Sequence, residues 1–138
     1  MQPLIQSITE VGTNPFMVDV ECHFSNSLPG IIIVGFANRA VDEARERIRS
    51  AFASSKLRVP PKRIIINLAP ADQPKDGTSF DLAMAASILF HATGPLHTRQ
   101  PLPPLTGELG LDGSVRPVRG IIGKVLAGRT LGHTSFII

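Results

Sequence analysis

Residues 16–24 alternate without a slip: Phe16, Val18, Val20, Cys22 and Phe24 face one way, and Met17, Asp19, Glu21 and His23 the other. A period of two predicts a half-exposed strand. Residues 4–11 alternate more loosely and predict a strand before it, with turn residues at 12–15 between the two. Residues 31–34 are a short apolar run that ends at Gly35-Phe36 and follows turn residues at 25–30. These three strands are expected to form an antiparallel group.

The period then changes. Behind Asn38, a good N-cap, Ala40, Val41, Ala44, Ile48, Ala51 and Phe52 recur at helical spacing and predict a helix over residues 39–53. Its polar side carries Asp42, Glu43, Arg45, Glu46, Arg47 and Arg49, with Glu43 and Arg47 four apart as a favourable pair. Residues 54–61 read as a loop. Residues 63–69 are apolar and β-branched, as in a strand buried on both faces. Pro70 and Pro74 stop that strand, and Asp76-Gly77 marks a turn. Thr78 with Asp81 three residues on fits a helix start capped by a hydroxyl. In residues 82–90 Ser87 is the only polar residue, so this helix is expected to be central, with other elements on every side.

Residues 93–104 are rich in proline and read as a surface loop. Residues 105–111 and 114–118 flank Asp112-Gly113 as strands about a two-residue hairpin turn. A helix over residues 121–130 is closed by Gly132, and residues 135–138 open a last strand. The order is β-β-β-α-β-α-β-β-α-β, an α+β fold with a mixed sheet and a buried central helix. Residues 1–138 form a single domain with no internal repeat or linker. An apolar strand at the last residues implies that the native chain continues.

Composition narrows the class. With 138 residues, 43% hydrophobic and 18% charged, the chain can build a real core. Trp and Tyr are absent, so aliphatic residues and seven Phe must fill it. The apolar run from Leu82 is too short to span a bilayer, and the first residues lack the pattern of a signal peptide. The single cysteine, Cys22, allows no intrachain disulfide framework. A cytoplasmic protein without membrane contact is expected. The net charge of +3 permits nucleic-acid contact without requiring it.

Candidate chemistry centres on Ser79, which follows Gly77 at the mouth of the buried helix, where the helix dipole favours an anion or a nucleophile. A plain cap at Thr78 or Ser79 accounts for the same placement. A serine nucleophile needs a base, and the candidates are Lys75, Lys124, Asp81 and the histidines. His23, His91, His97 and His133 have neither metal nor triad spacing. Asp72, Asp76, Asp81 and Glu108 can gather near the loop. The Gly123-Lys124 pair lacks the upstream glycine and the following hydroxyl of a phosphate loop, so no ATP site of that kind is expected here. Basic residues form three groups. Those on the first helix, Arg39, Arg45, Arg47 and Arg49, are balanced by acids. Arg58, Lys62 and Arg63, and then Arg116 and Arg119 with Lys124, have little acid nearby and are the better candidates for nucleic-acid phosphate.

Several blocks together carry a resemblance. They are Leu28-Pro29 with Ile33-Val34-Gly35; Ala40-Val41, Glu43 and the run from Arg45 through Ala51; Arg63-Ile64 with Asn67-Leu68-Ala69-Pro70-Ala71-Asp72; Lys75-Asp76-Gly77-Thr78-Ser79-Phe80-Asp81-Leu82; and Gly107-Glu108-Leu109, Leu111-Asp112-Gly113 and Val115-Arg116-Pro117-Val118-Arg119-Gly120. In this order the chain resembles the N-terminal domain of the magnesium-chelatase-like AAA+ ATPases, the competence protein ComM (YifB) family.

The resemblance implies a fold shared with the proteolytic domain of Lon protease, and a C-terminal ATPase module beyond this domain. ATP and magnesium would belong to that module, with no cofactor or metal in this domain. It further implies a hexameric ring that acts on DNA as a branch-migration helicase. On this reading the domain is non-catalytic and helps assemble the ring or guide DNA, with Arg58, Lys62, Arg63, Arg116 and Arg119 as phosphate contacts. The alternatives are a Lon-like peptidase using Ser79 and Lys124, and an interaction module without a ligand. Ser79 matches the position of the Lon nucleophile. Ile122 falls where Lon has its catalytic lysine, and Lys124, two residues on, is turned by about 200° to the other side of a helix. The Lon dyad is therefore expected to be broken, although a two-residue shift of the alignment restores it.

Overall fold

A computed structural model describes residues 4–11, 14–94 and 102–138. Residues 12–13 of the expected first turn, residues 95–101 of the expected surface loop, and His97 lie outside the described residues. The alternating stretches form β1 (Ile5–Val11) and β2 (Asn14–Ser25), paired antiparallel from Ile5↔Val20 to Val11↔Asn14. β3 (Gly30–Val34) does not join them. It runs parallel to β4 (Arg63–Ala69), which itself pairs antiparallel with β2, so the sheet order is β1-β2-β4-β3. This corrects the expected antiparallel trio. The helical stretch between β3 and β4 is a crossover long enough to bring the chain back in the same direction, so β4 is laid between β2 and β3.

That crossover is two helices, not one: α1 (Arg39–Asp42) and α2 (Ala44–Ser54), broken at Glu43. Asn38 caps α1 as expected, its Oδ1 accepting a hydrogen bond from Val41 N at 3.2 Å. The expected Glu43–Arg47 pair does not form. Glu43 pairs with Arg39 one turn earlier, and Arg47 reaches across to another helix.

α3 (Asp81–Thr93) is the central helix, with every residue from Ala83 to Ile88 buried. Ser87 tolerates this because its hydroxyl donates to Met84 O at 2.7 Å. One face of the sheet meets α2 and α3 through Ile5, Val18, Val20, Ile31, Ile33, Ile64, Ile66 and Leu68. α4 (Ile121–Thr130) packs on β1 and β2. Ile8, turned away from Ile5 by strand alternation, is buried against Gly128 of this helix, where a Cβ would strike Ile8 and Phe136. β4 alternates between buried and half-buried residues. It is thus not covered on both faces as its composition implied, because α4 lies over β1 and β2 instead.

β5 (Glu108–Leu109) and β6 (Val115–Arg116) make the expected hairpin, but shorter and with a wider reversal. Gly110 N donates to Ser114 O at 2.8 Å, and Asp112 Oδ1 accepts from Ser114 N at 3.0 Å. Residues 135–138 supply a single parallel bridge, Ile137↔Leu105, in place of the expected strand. Among the described residues no helix is long and apolar enough to cross a membrane.

Two predictions follow from the packing. Gly35 has φ +107° and lies directly on the Leu68 carbonyl. Gly35→Ala combines a strained backbone with a clash and is expected to cost about 3 kcal/mol or more in chemical denaturation. Cys22 is half-buried, and burial pushes its thiol up to about 11, with the nearby Ser87 hydroxyl acting in the opposite direction. The neutral thiol therefore belongs to the folded state. Its contribution is complete below the ordinary thiol value and is lost as pH rises through the folded one. Alkylation of native Cys22 at mildly alkaline pH is expected to be roughly 100-fold slower than in denaturant, accelerating only at strongly alkaline pH.

Candidate functional site

The end of β4 opens into the loop of residues 70–80, which is fixed by a buried lysine. Lys75 is 1% exposed. Its Nζ donates to Gly35 O at 2.8 Å and to Pro70 O, its backbone N donates to Phe36 O at 3.0 Å, and its own O accepts from Asn38 N at 3.1 Å. Burial lowers the Lys75 pKa, with Asp72 acting in the opposite direction. The chain thus ties the exit of β3 to the exit of β4. Lys75, a candidate base by sequence, is held by backbone carbonyls and does not line the cleft beside Ser79.

Asp81 opens α3 and is fully buried. Arg47 of α2 grips it with both arms, Nε to Oδ2 at 2.6 Å and Nη2 to Oδ1 at 3.0 Å, and also donates to Ala40 O at 2.9 Å. Leu109 N of β5 donates to the same carboxylate at 3.1 Å. Burial raises the Asp81 carboxyl above the ordinary aspartate range, while Arg47 and the Leu109 N–H pull it back. The expected cap at Thr78 or Ser79 is absent: the residue before the helix is Phe80, without a side-chain cap bond. Thr78 Oγ1 instead donates to Glu108 Oε2 at 2.6 Å. Sequence reading assigned Asp81 to a local cap because spacing along the chain shows nearby partners only. The single hint of a distant cation was a carboxylate at the head of an otherwise apolar helix.

These contacts shape a cleft of about 320 Å³ lined by Asp76, Gly77, Thr78, Ser79, Glu108, Pro117, Val118, Arg119 and Lys124. Five candidates therefore meet, Asp76, Ser79, Glu108, Arg119 and Lys124. The geometry also corrects the helix argument of the sequence: Lys124 faces the cleft, whereas Ile122 is 75% exposed. Helical rotation separates the two residues correctly, but only the docking of α4 decides which of them looks toward Ser79. Among the described residues no hydrogen bond joins the Ser79 hydroxyl to Lys124. Arg116 lies beside this cleft, lining an adjoining hollow of about 290 Å³ with Thr106 and Ile121.

The remaining basic group is elsewhere. Phe24 pairs with Ile64, and the Phe24 ring meets His91 at 4.3 Å, so the end of α3 lies by the start of β4 and its mouth by the end of β4. Arg63 begins β4. Lys62 and Arg63 are thus separated from the cleft by the length of the strand, roughly 20 Å. The first-helix arginines Arg39, Arg45 and Arg47 are engaged with Glu43, Asp42 and Asp81. His23 is exposed, and neither it, His91 nor His133 lines the cleft. The sequence marks Phe36 only as the end of a strand. It is exposed, with φ +58°, a state no residue pattern signals.

A family model described as subunit ChlI of Mg-chelatase matches residues 20–138. The chain is 40% identical over 129 residues to competence protein ComM of Haemophilus influenzae, covering 91% of this chain and 25% of that protein. It is 38% identical over 132 residues to the uncharacterized protein YifB of Salmonella typhimurium, covering 93% and 26% respectively. It is 30% identical over 141 residues to a Lon protease of Lachnoclostridium phytofermentans, covering 94% of this chain and 16% of that one. This likeness matches the expected Lon-like fold. The chain spans about a quarter of the length of the ComM and YifB relatives.

Removing one side of the Arg47–Asp81 pair leaves a buried charge without its partner. Arg47→Ala is expected to lower stability by about 3 kcal/mol or more, read as a shift in denaturation midpoint.

Proposed function

This chain belongs to the family of the ChlI subunit of Mg-chelatase, and from that membership we propose that it is a non-catalytic accessory domain of a ComM-like ring ATPase, assisting ring assembly or guiding DNA. The observation that carries the reading is one of proportion: the likeness to ComM takes in 91% of this chain but 25% of that protein. The Gly123-Lys124 pair lies inside α4 with no phosphate loop around it. In this reading ATP and magnesium belong to a separate C-terminal module, the full-length protein is a cytoplasmic hexamer, and DNA is the substrate. The candidate phosphate contacts are Arg58, Lys62, Arg63, Arg116 and Arg119. Arg116 and Arg119 stand by the cleft and are the first to test.

A second reading is favoured by the cleft itself, which Ser79 and Lys124 both line. A Lon-like peptidase would use Ser79 as nucleophile and Lys124 as base.

Two measurements separate them. Under the first reading the domain binds DNA with an affinity that falls steeply as salt rises. Reversing both Arg116 and Arg119 to Glu is expected to weaken binding by about tenfold or more and to flatten the salt slope by roughly two. Binding indifferent to salt and to both reversals counts against DNA guidance. Ser79→Ala is expected to leave a peptide-hydrolysis assay at background. A measurable hydrolysis that Ser79→Ala abolishes establishes the second reading.

A further inference from the structure

We propose that the hollow between Phe36 and Asp76 seats a basic side chain presented by a second copy of this chain, so that copies join head to tail. The inference deepens the assembly role proposed above and rests on it. Phe36 is 63% exposed and has φ +58°, a conformation that is strained for a bulky L-residue. It is nevertheless held fast. Lys75 N donates to Phe36 O, Lys75 Nζ donates to the carbonyl of the preceding Gly35, and Ala37 bridges Lys75. The fold thus fixes the backbone from which an aromatic ring projects into solvent at the exit of β3.

Beside the ring is a hollow of about 480 Å³ lined by Phe36, Ala37, Asn38, Pro74, Lys75 and Asp76. Asp76 Oδ1 is oriented by Asn38 Nδ2 and by Gly77 N, the latter at 2.6 Å. Asp76 is exposed and joins no ion pair among the described residues. The Lys75 ammonium is turned away to Gly35 O and Pro70 O. A guest in the hollow therefore meets an aromatic ring and a fixed carboxylate. That combination recognises guanidinium or ammonium through cation–π attraction and a charge-assisted hydrogen bond. A nucleic-acid phosphate would face the Asp76 charge instead.

The chain carries the matching guest at its other end. Arg58, Lys62 and Arg63 precede or begin β4 and join no ion pair among the described residues. Phe36 lies just past Val34, which pairs with Asn67 near the end of β4, whereas Arg63 pairs with Gly30 at its start. Seat and guest sit at opposite ends of the same parallel pair of strands, too far apart to meet within one copy. Complementary patches at opposite ends make a heterologous contact, which propagates into a ring or an open chain of copies.

Sedimentation of the whole chain tests this with two variants, Asp76→Lys and the double change Lys62→Glu with Arg63→Glu. Each is first shown by circular dichroism to melt as cooperatively as the parent. The parent is expected to associate with rising concentration, and each variant alone to remain monomeric. Mixed in equal amounts, the variants are expected to form a two-chain species and nothing larger, because one contributes an intact seat and the other intact cations. A parent that stays monomeric at every concentration, variants that associate as the parent does, or a mixture that stays monomeric overturns the proposal. Salt-titrated DNA binding by the same proteins is a separate readout. Loss of DNA affinity in the Lys62/Arg63 variant with association intact assigns that group to DNA and overturns the seat. Absence of DNA binding with the expected sedimentation leaves the seat standing and removes only DNA guidance.

Discussion

The architecture turns on one buried carboxylate. Asp81 joins α3 to α2 through Arg47 and to β5 through the Leu109 amide. Each of these elements has little of its own to set its angle to the others: α3 is apolar nearly all round, and β5 is two residues long. Hydrophobic contact is non-directional, so it holds such pieces together without choosing their orientation. The fork of Arg47 and the amide of Leu109 supply the direction. They also bring Glu108 over the mouth of α3, where Thr78 meets it. Burial raises the Asp81 carboxyl, and its bonds to Arg47 and the Leu109 amide work against that rise. The arrangement is therefore intolerant of losing any one of them.

A second polar anchor, Lys75, does for the loop what Asp81 does for the helices. Its ammonium donates to two backbone carbonyls, Gly35 O just past β3 and Pro70 O just past β4, and so binds the exits of the two strands. The cleft with Ser79 and the hollow with Phe36 share a wall, Asp76, one residue after this anchor. Their relative position is thus set by one side chain.

Much of this was legible in the residues. The alternation of β2, the cap at Asn38, the apolar girth of α3 and the closing glycine of α4 all write local rules into the chain, and each element stands where those rules put it. What failed was whatever depended on distant partners. β3 was placed with β2 because neighbours in sequence usually pair, but a helical crossover intervened. Spacing along the chain points Asp81 to a cap and Arg47 to Glu43, both within one turn, while the actual bond spans two helices. Helical rotation argues against Lys124 and is correct in itself, yet only tertiary docking shows which side of α4 meets Ser79. Phe36 was invisible because its interest lies in a backbone angle and an exposure, neither of which has a residue signature.

The position of β3 carries one more consequence, for the life of the protein outside its native state. It is an outer strand, Gly-Ile-Ile-Ile-Val, with no charge, proline or bulge along it. Its free row of amides and carbonyls is a template on which any extended apolar segment can register. During synthesis β3 emerges before β4, so for a time it lacks even the partner it will have. Yield from a crowded cell, and recovery after denaturation, are then governed by how soon the crossover helices bring β4 to it, a race between folding within one molecule and sticking between many.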